Sequence, residues 1–497
     1  MDLETVQFSF GLAALVLLLA LVAIRLSRRL GTPSLLLYLG IGLALGNGGI
    51  GIDFSNTIVA EQVGLAALVF ILAEGGLTTR WQNVRPALGL GISLSTIAVA
   101  VSIAVAGVGV FLVMGFDWRT SLLWGAVLSS TDAAAVFSVL RGVGVKSRLS
   151  AALELESGLN DAPVVIAVLL LTSTATITWT APFLVVYELV AGAIIGAALA
   201  FGGAWVLRRA ALPAAGLYPL AALGLAGGAY AVGAYAHASG FLATYVCALI
   251  LGNSRLPHRA STISFAEGFG WLAQIGLFVM LGLYVDPFGL PDAIIPGIVI
   301  GLIVLLVARP LSIFAAATPF RMSWKEQVFL SWSGLRGAVP IVLAMIPLTA
   351  GQPTADLLLD VIVVVVVIYT LLQGTTLPWV ARRLGVVDLG RAEEVQVDAA
   401  PLEEIDAHVL QVTVPQGSKL HGVYVAQLRL PQSATIGLLL RNGEPMDILP
   451  TLRIQSGDQL LVLAPERVRS ATEERLREVS SGGALARWFR TGPADRS

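Results

Sequence analysis

Apolar runs long enough to cross a bilayer recur between residues 7 and 381 of this 497-residue chain, and that recurrence leaves few folds open. A spanning helix needs about 20 mainly apolar residues to cross roughly 30 Å of hydrocarbon, and only helices and closed barrels satisfy their peptide groups there. On that rule, spans fall near 7–27, 33–48, 57–77, 86–114, 121–141, 149–176, 181–208, 213–237, 239–253, 262–285, 289–318, 324–349 and 354–381. The expected fold is therefore an all-α polytopic membrane protein of thirteen helices. The second and ninth runs are short, and the eleventh is long enough for one tilted helix or a hairpin. With 56% hydrophobic and 13% charged residues, the chain has too little polar surface to coat a soluble domain.

Basic residues test this count independently, because Lys and Arg concentrate on the cytoplasmic side. Sixteen of them, from Arg25, Arg28 and Arg29 to Arg382 and Arg383, fall at connections assigned to one side, and only Arg119 falls on the other. Asp2 and Glu4 precede the first apolar run, whose basic residues follow it, which reverses the charge order of a signal peptide. The expected topology places the N-terminus outside and the C-terminal region in the cytoplasm, in the plasma (inner) membrane of the cell.

Residues 1–385 hold 36 of the 63 charged side chains, and the last 112 residues hold the other 27. That step marks a domain boundary. The expected organisation is a membrane domain over 1–385, a linker over 386–402, a β-rich α+β domain over 403–470 and a helical or disordered tail over 471–497. Strand signals lie around His408–Val414, Tyr424–Leu428, Thr435–Leu440 and Gln459–Leu463, separated by Pro415-Gln416-Gly417, Asn442-Gly443 and Ser456-Gly457-Asp458. A net charge of −1 without a polybasic run excludes nucleic acid as a partner. Lone Cys247 excludes disulfide scaffolds and cysteine-based metal sites.

Few charges fall inside the spans: Glu74, Asp132, Glu154, Glu156, Asp161, Glu188, Glu267, Arg309 and Arg336. Each costs at least about 2.5–3.5 kcal/mol at mid-membrane, so each is a candidate functional residue. Glu188 and Glu267 have a plainer reading, as span-end side chains reaching the headgroups. The densest cluster, Glu154 to Pro163, lies in the sixth span. At 3.6 residues per turn Glu154, Ser157 and Asp161 share one stripe, with Asn160 beside it and Glu156 on the adjoining face. Pro163 frees carbonyls nearby that can serve as oxygen ligands.

In the fifth span Ser129-Ser130-Thr131-Asp132-Ala133 interrupts an apolar run, and seven spans later Ser331 to Pro340 interrupts the twelfth with two glycines, Arg336 and a proline. Spans an odd number apart run in opposite directions, as members of an inverted repeat must. Paired interrupted helices are the best sequence pointer to a transporter's ion site. Asp132 suits a positive half-helix N-terminus and Arg336 a negative C-terminus. The plain alternative is a pair of kinks packed with small residues. A partly desolvated carboxylate can hold either a proton or a cation near neutral pH, and one site with two competing ligands suffices for antiport. Hard monovalent cations need oxygen ligands, and four dispersed histidines offer no softer set.

Glu156-Ser157-Gly158-Leu159-Asn160-Asp161, with Thr131-Asp132 before it and Gly334-Leu335-Arg336-Gly337 after it, resembles the NhaP-type branch of the monovalent cation:proton antiporters, which includes the sodium/proton exchangers. The resemblance implies a thirteen-helix homodimer in which a core bundle moves against a dimer domain. It implies Asp161 as the cation and proton carrier, Ser157 and the Thr131 backbone as co-ligands, and Asn160 as the mark of electroneutral members. It further implies a Glu156–Arg309 pair, Arg336 steadying the second broken helix, and Glu74 completing the site. The family often has proline after Thr-Asp; Ala133 stands there in this chain. Residues 403–466 resemble the TrkA-C half of an RCK regulator, without its Rossmann half. Antiporters with this module resemble bacterial potassium/proton exchangers, which points to K⁺ over Na⁺. Expected besides are membrane lipid as surroundings, no cofactor beyond the transported ions, and an unidentified small ligand or a dimerising role for the module. An RCK-regulated channel is the alternative, but it lacks a Thr-Val-Gly-Tyr-Gly filter. An intramembrane enzyme would need a partner for His237, and none is evident, so no enzyme is expected.

Overall fold

The apolar periodicity that sets the spans also sets the architecture of the computed structural model, which describes residues 3–30, 33–52, 54–132, 136, 144–174, 178–387, 396–402, 407–415, 418–441 and 443–483. Its compact units divide at Val386/Val387, with Gly144 and Val145 joining the second unit.

In the membrane unit the helices are α1 (Leu3–Leu30), α2 (Ser34–Leu45), α3 (Thr57–Thr78), α4 (Trp81–Met114), α5 (Trp118–Val127), α6 (Ser147–Thr172), α7 (Ala181–Arg209), α8 (Leu217–Tyr235), α9 (Gly240–Asn253), α10 (Arg259–Tyr284), α11 (Leu290–Phe320), α12 (Trp324–Trp332), α13 (Val339–Thr349) and α14 (Ala355–Leu384). Among the described residues nine helices are long and apolar enough to span, and α2, α9 and α13 are shorter apolar helices. The eleventh run is one helix and not a hairpin. It carries a π turn at Val304–Ala308, directly before Arg309, and closes in a 3₁₀ turn at Thr318–Phe320. The same offset of seven spans relates α11 to α4, which carries its own π turn at Leu94–Ala98. π turns inside helices gather at functional sites, and these two segments pack within one bundle.

Two bundles divide the unit. α2, α3, α9 and α10 pack together with α7 and α8, while α4, α5, α6 and α11 pack together with α12, α13 and α14. Glycines let the first bundle close tightly: a Cβ at Gly42 would fall 2.7 Å from the α-carbon of Gly282, where α2 crosses α10. Asp117 caps α5 through the Arg119 and Thr120 amides and the Thr120 hydroxyl, which holds its carboxyl below the usual range. Arg119 then reaches the last carbonyls of α6, including Leu171 at 2.9 Å, where a cation complements the helix dipole. α5 stops at Val127 and the chain is non-helical from Ser130 to Asp132. Ala133 and Arg141 lie outside the described residues.

In the second unit five antiparallel strands, β1 (Gln396–Leu402), β2 (Ala407–Thr413), β3 (Thr435–Arg441), β4 (Glu444–Met446) and β5 (Gln459–Pro465), form one sheet in the order β1-β2-β5-β3-β4. α15 (Glu466–Gly482) packs on β2 and β5, with Leu476 and Val479 against Leu410, Val412, Leu460 and Val462. Three expectations change here. Tyr424–Leu428 is not a strand, because Gln427 bonds back to the Tyr424 amide at 3.1 Å and closes a 3₁₀ turn that Arg429 ends at positive φ. Part of the expected linker is β1, an edge strand that tolerates Pro401 because its outer side needs no ladder bond. The helix allowed for the tail starts earlier than 471, as α15 from Glu466, and residues 484–497 lie outside the described residues, as do Gln416, Gly417 and Asn442 of the turns. Asp458 is buried in the Ser456–Asp458 turn and accepts two bonds from Arg441, at 2.9 and 2.8 Å, which hold the guanidinium pKa above its usual value.

Candidate functional site

Polar side chains in an apolar setting need partners, and those past the end of α5 find them in α6, with Ser130 and Thr131 bonded to Asp161 and Asn160. Past Trp332 the chain runs non-helical through Ser333–Gly337 until Val339 restarts it as α13. The two interruptions meet, with the Asp132 amide donating to the Leu335 carbonyl at 2.9 Å. Arg336, 4% exposed, donates through Nη1 to the Ser130 carbonyl just past the C-terminal end of α5. The Asp132 carboxylate lies over Gly337 at the start of α13, where a Cβ would fall 2.6 Å from Asp132 Cγ. Each charge thus sits at a half-helix end of opposite sign. The Thr370 hydroxyl holds the Arg336 carbonyl at 2.8 Å, and the Gln373 amide holds that of Trp332 at 2.8 Å, so α14 braces the second break.

The sixth-span stripe faces this crossing. Asp161 is 5% exposed and accepts from the Ser130 hydroxyl at 2.9 Å. The Asn160 amide donates to the Thr131 hydroxyl at 2.7 Å, and the Ser157 hydroxyl donates to the Thr131 carbonyl at 3.4 Å. Glu156 turns to the adjoining face, where Arg309 Nη1 reaches Oε1 at 2.5 Å and Arg309 Nη2 reaches the Leu330 carbonyl at 3.4 Å. This ion pair, buried on both sides, ties α6 to α11 and to the α12 half of the break. α6 stays helical through Pro163, whose missing N–H leaves one carbonyl of the preceding turn without its helix bond, while the chain itself opens at Thr131, past the end of α5.

A cavity of about 630 Å³ reaches Asp161, Ser157, Thr131 and Asp132. Glu74 lines it from α3, packed so closely on Gly270 that a Cβ there would fall 2.8 Å from Glu74 Cγ. Asn160, Glu156, Arg309 and Arg336 do not line it; they stand behind its wall and fix the crossing. Glu267, for which the sequence left a headgroup position and a functional one open, lines the same cavity from near the start of α10. Glu188 stays near the start of α7, outside this wall. Sequence reasoning missed Ser130 as the partner of Asp161, although it named the polar run that contains it. It also missed Thr79, whose hydroxyl donates to Glu154 at 2.5 Å, and Tyr245, which sits in the wall amid an apolar α9 and gives no sequence signal.

The family model described as sodium/hydrogen exchanger, transmembrane, matches residues 15–383, and that of the TrkA-C domain matches residues 409–477. The chain is 35% identical over 452 residues to the K(+)/H(+) antiporter NhaP of Alkalimonas amylolytica, covering 89% of this chain and 78% of that protein. It is 33% identical over 502 residues to the K(+)/H(+) antiporter NhaP2 of Shewanella baltica, covering 98% and 86%. The structure of the sodium proton antiporter MjNhaP1 from Methanocaldococcus jannaschii superposes with a TM-score of 0.66 at 21% identity, over 76% of this chain and 99% of that one, which speaks to the fold. With the match spanning the membrane unit almost end to end, this chain belongs to the sodium/hydrogen exchanger family and carries a TrkA-C domain at its C-terminal end.

Proposed function

We propose that this protein exchanges a monovalent cation, K⁺ in preference to Na⁺, for H⁺ across the membrane, and that both ligands compete for the Asp161 carboxylate. The observation that carries this reading is a buried Asp161 at the wall of a cavity, beside the crossing of two broken helices, accepting from the Ser130 hydroxyl. Ser157 and the Thr131 carbonyl offer neutral oxygens within the same wall, and Glu74 offers a second carboxylate. Asn160 holds Thr131 where an aspartate would bring another titrating charge, which supports electroneutral exchange.

The same reading places the N-terminus outside and the TrkA-C domain in the cytoplasm, on the basic-residue asymmetry. It takes the working unit as a homodimer in the inner membrane, with the α5/α12 bundle carrying the ion past the α3/α10 bundle, and gives the TrkA-C domain a small regulatory ligand. It moves ions and makes no covalent bond, so no cofactor is needed. Proteoliposomes given K⁺, Na⁺ or Rb⁺ under an imposed voltage test it. K⁺ and Rb⁺ should dissipate a pH gradient at a rate indifferent to voltage, whereas a voltage-driven current without proton movement would favour the channel.

A further inference from the structure

The cavity is much larger than a bare alkali cation requires, and its far end is built. From Asp161 it extends to Thr78 and Thr79 at the end of α3, Glu154 near the start of α6 and Glu267 near the start of α10. Five carboxylates, Glu74, Asp132, Glu154, Asp161 and Glu267, stand among its lining residues, and no Lys, Arg or His does. A cation entering at that end meets negative charge well before it reaches Asp161. Glu154 is oriented there, since Thr79 donates to Oε1 and leaves Oε2 with no commitment to Thr79.

A second feature, contributed by α9, faces α6 one turn beyond Glu154. Tyr245 is 2% exposed, and its buried hydroxyl lies beside Thr79 without a hydrogen bond of good geometry to any described residue. It lines the cavity against the Gly158 face of α6, where a Cβ would fall 2.9 Å from its oxygen. A buried hydroxyl left unmatched is costly in a finished core, and its presence in a wall calls for a ligand or water oxygen opposite it. Glycine at 158 is what admits it.

We propose that Glu154 and the Tyr245 hydroxyl form a second cation site, where a partly hydrated monovalent cation waits before passing to Asp161. The inference rests on the exchange reading above and adds a staging step to it. Tyr245 serves as an oxygen ligand or as donor to a water of the hydration shell, and Glu154 supplies the charge. Because this end of the cavity faces one side of the membrane, the site acts on uptake of the cation from that side alone.

The test measures Rb⁺-driven exchange in uniformly oriented proteoliposomes of the full chain, with Rb⁺ supplied to one side at a time. Glu154→Gln keeps the bond from Thr79 and removes the charge. It should raise the half-saturating Rb⁺ concentration about three- to tenfold from one side and less than about twofold from the other, as expected for losing one screened charge. Glu154→Asp should recover most of the loss. A shift equal from both sides, or no shift, would overturn the proposal. Equilibrium Rb⁺ binding to purified Asp161→Asn protein gives a second arm that needs no transport. Weak residual binding, lowered further by Tyr245→Phe, is expected, and its absence would overturn the site. Exchange that survives Asp161→Asn would count against the carrier, whereas an unmoved Glu154→Gln would count against the staging site alone.

Discussion

Asp161→Asn abolishes cation-evoked dissipation of a pH gradient in everted vesicles, leaving the rate of vesicles without the protein. The amide matches the carboxylate in shape and can still accept from Ser130, so the 2.9 Å contact and the crossing survive. What disappears is the charge. At about 2.8 Å and an effective dielectric near 20, a carboxylate and a monovalent cation attract by about 6 kcal/mol. Losing most of that lowers cation affinity by about four orders of magnitude, and the amide has no proton to trade. Ser157→Ala should do far less, because it deletes one neutral oxygen at 3.4 Å from the Thr131 carbonyl. Exchange retained in Asp161→Asn at K⁺ levels that saturate the native protein would reject the carrier.

The second large effect falls on stability. Breaking Glu156–Arg309 from either side leaves a buried charge without its partner, and such losses run to about 3–5 kcal/mol. Glu156→Gln and Arg309→Met should each lower thermal stability in detergent strongly. Arg309 also has Gly334 pressed against it, where a Cβ would fall 2.5 Å from Nε, so the guanidinium holds the second break in place as well as neutralising Glu156. The double variant should be less damaged than the two single losses added, with coupling of about 2–3 kcal/mol. Additive losses would mean that the two side chains are held by their surroundings and not by each other.

Much of this arrangement is legible in the sequence because lipid makes polarity conspicuous. A run such as Ser129 to Asp132, or two glycines beside Arg336, stands out against apolar surroundings, and helical spacing alone puts Ser157 and Asp161 on one stripe. The Glu156–Arg309 pair came from resemblance, since nothing in spacing joins residues 153 positions apart. Distance also hides Thr79 and Glu154, which become neighbours only through bundle packing. Glu267 is ambiguous in sequence for a related reason: a charge one or two turns inside a span end reads the same whether it faces lipid headgroups or a cavity. Tyr245 is invisible, because its α9 surroundings are apolar and only the packing against Gly158 reveals its hydroxyl. In the second unit, alternation located β2, β3 and β5, while β1 hid in a polar stretch and Tyr424–Leu428 had strand composition but a side chain that closed a turn.

The central claim is that one carboxyl group gives up its proton as the cation arrives. Calorimetric titration of K⁺ or Rb⁺ into the purified protein, repeated in buffers of different ionisation enthalpy, counts the protons released per cation bound. The account predicts about one proton at pH values where the site starts protonated, declining toward none as pH rises, with no release from Asp161→Asn. Cation binding that releases no proton at any pH, or release undiminished in Asp161→Asn, would contradict it.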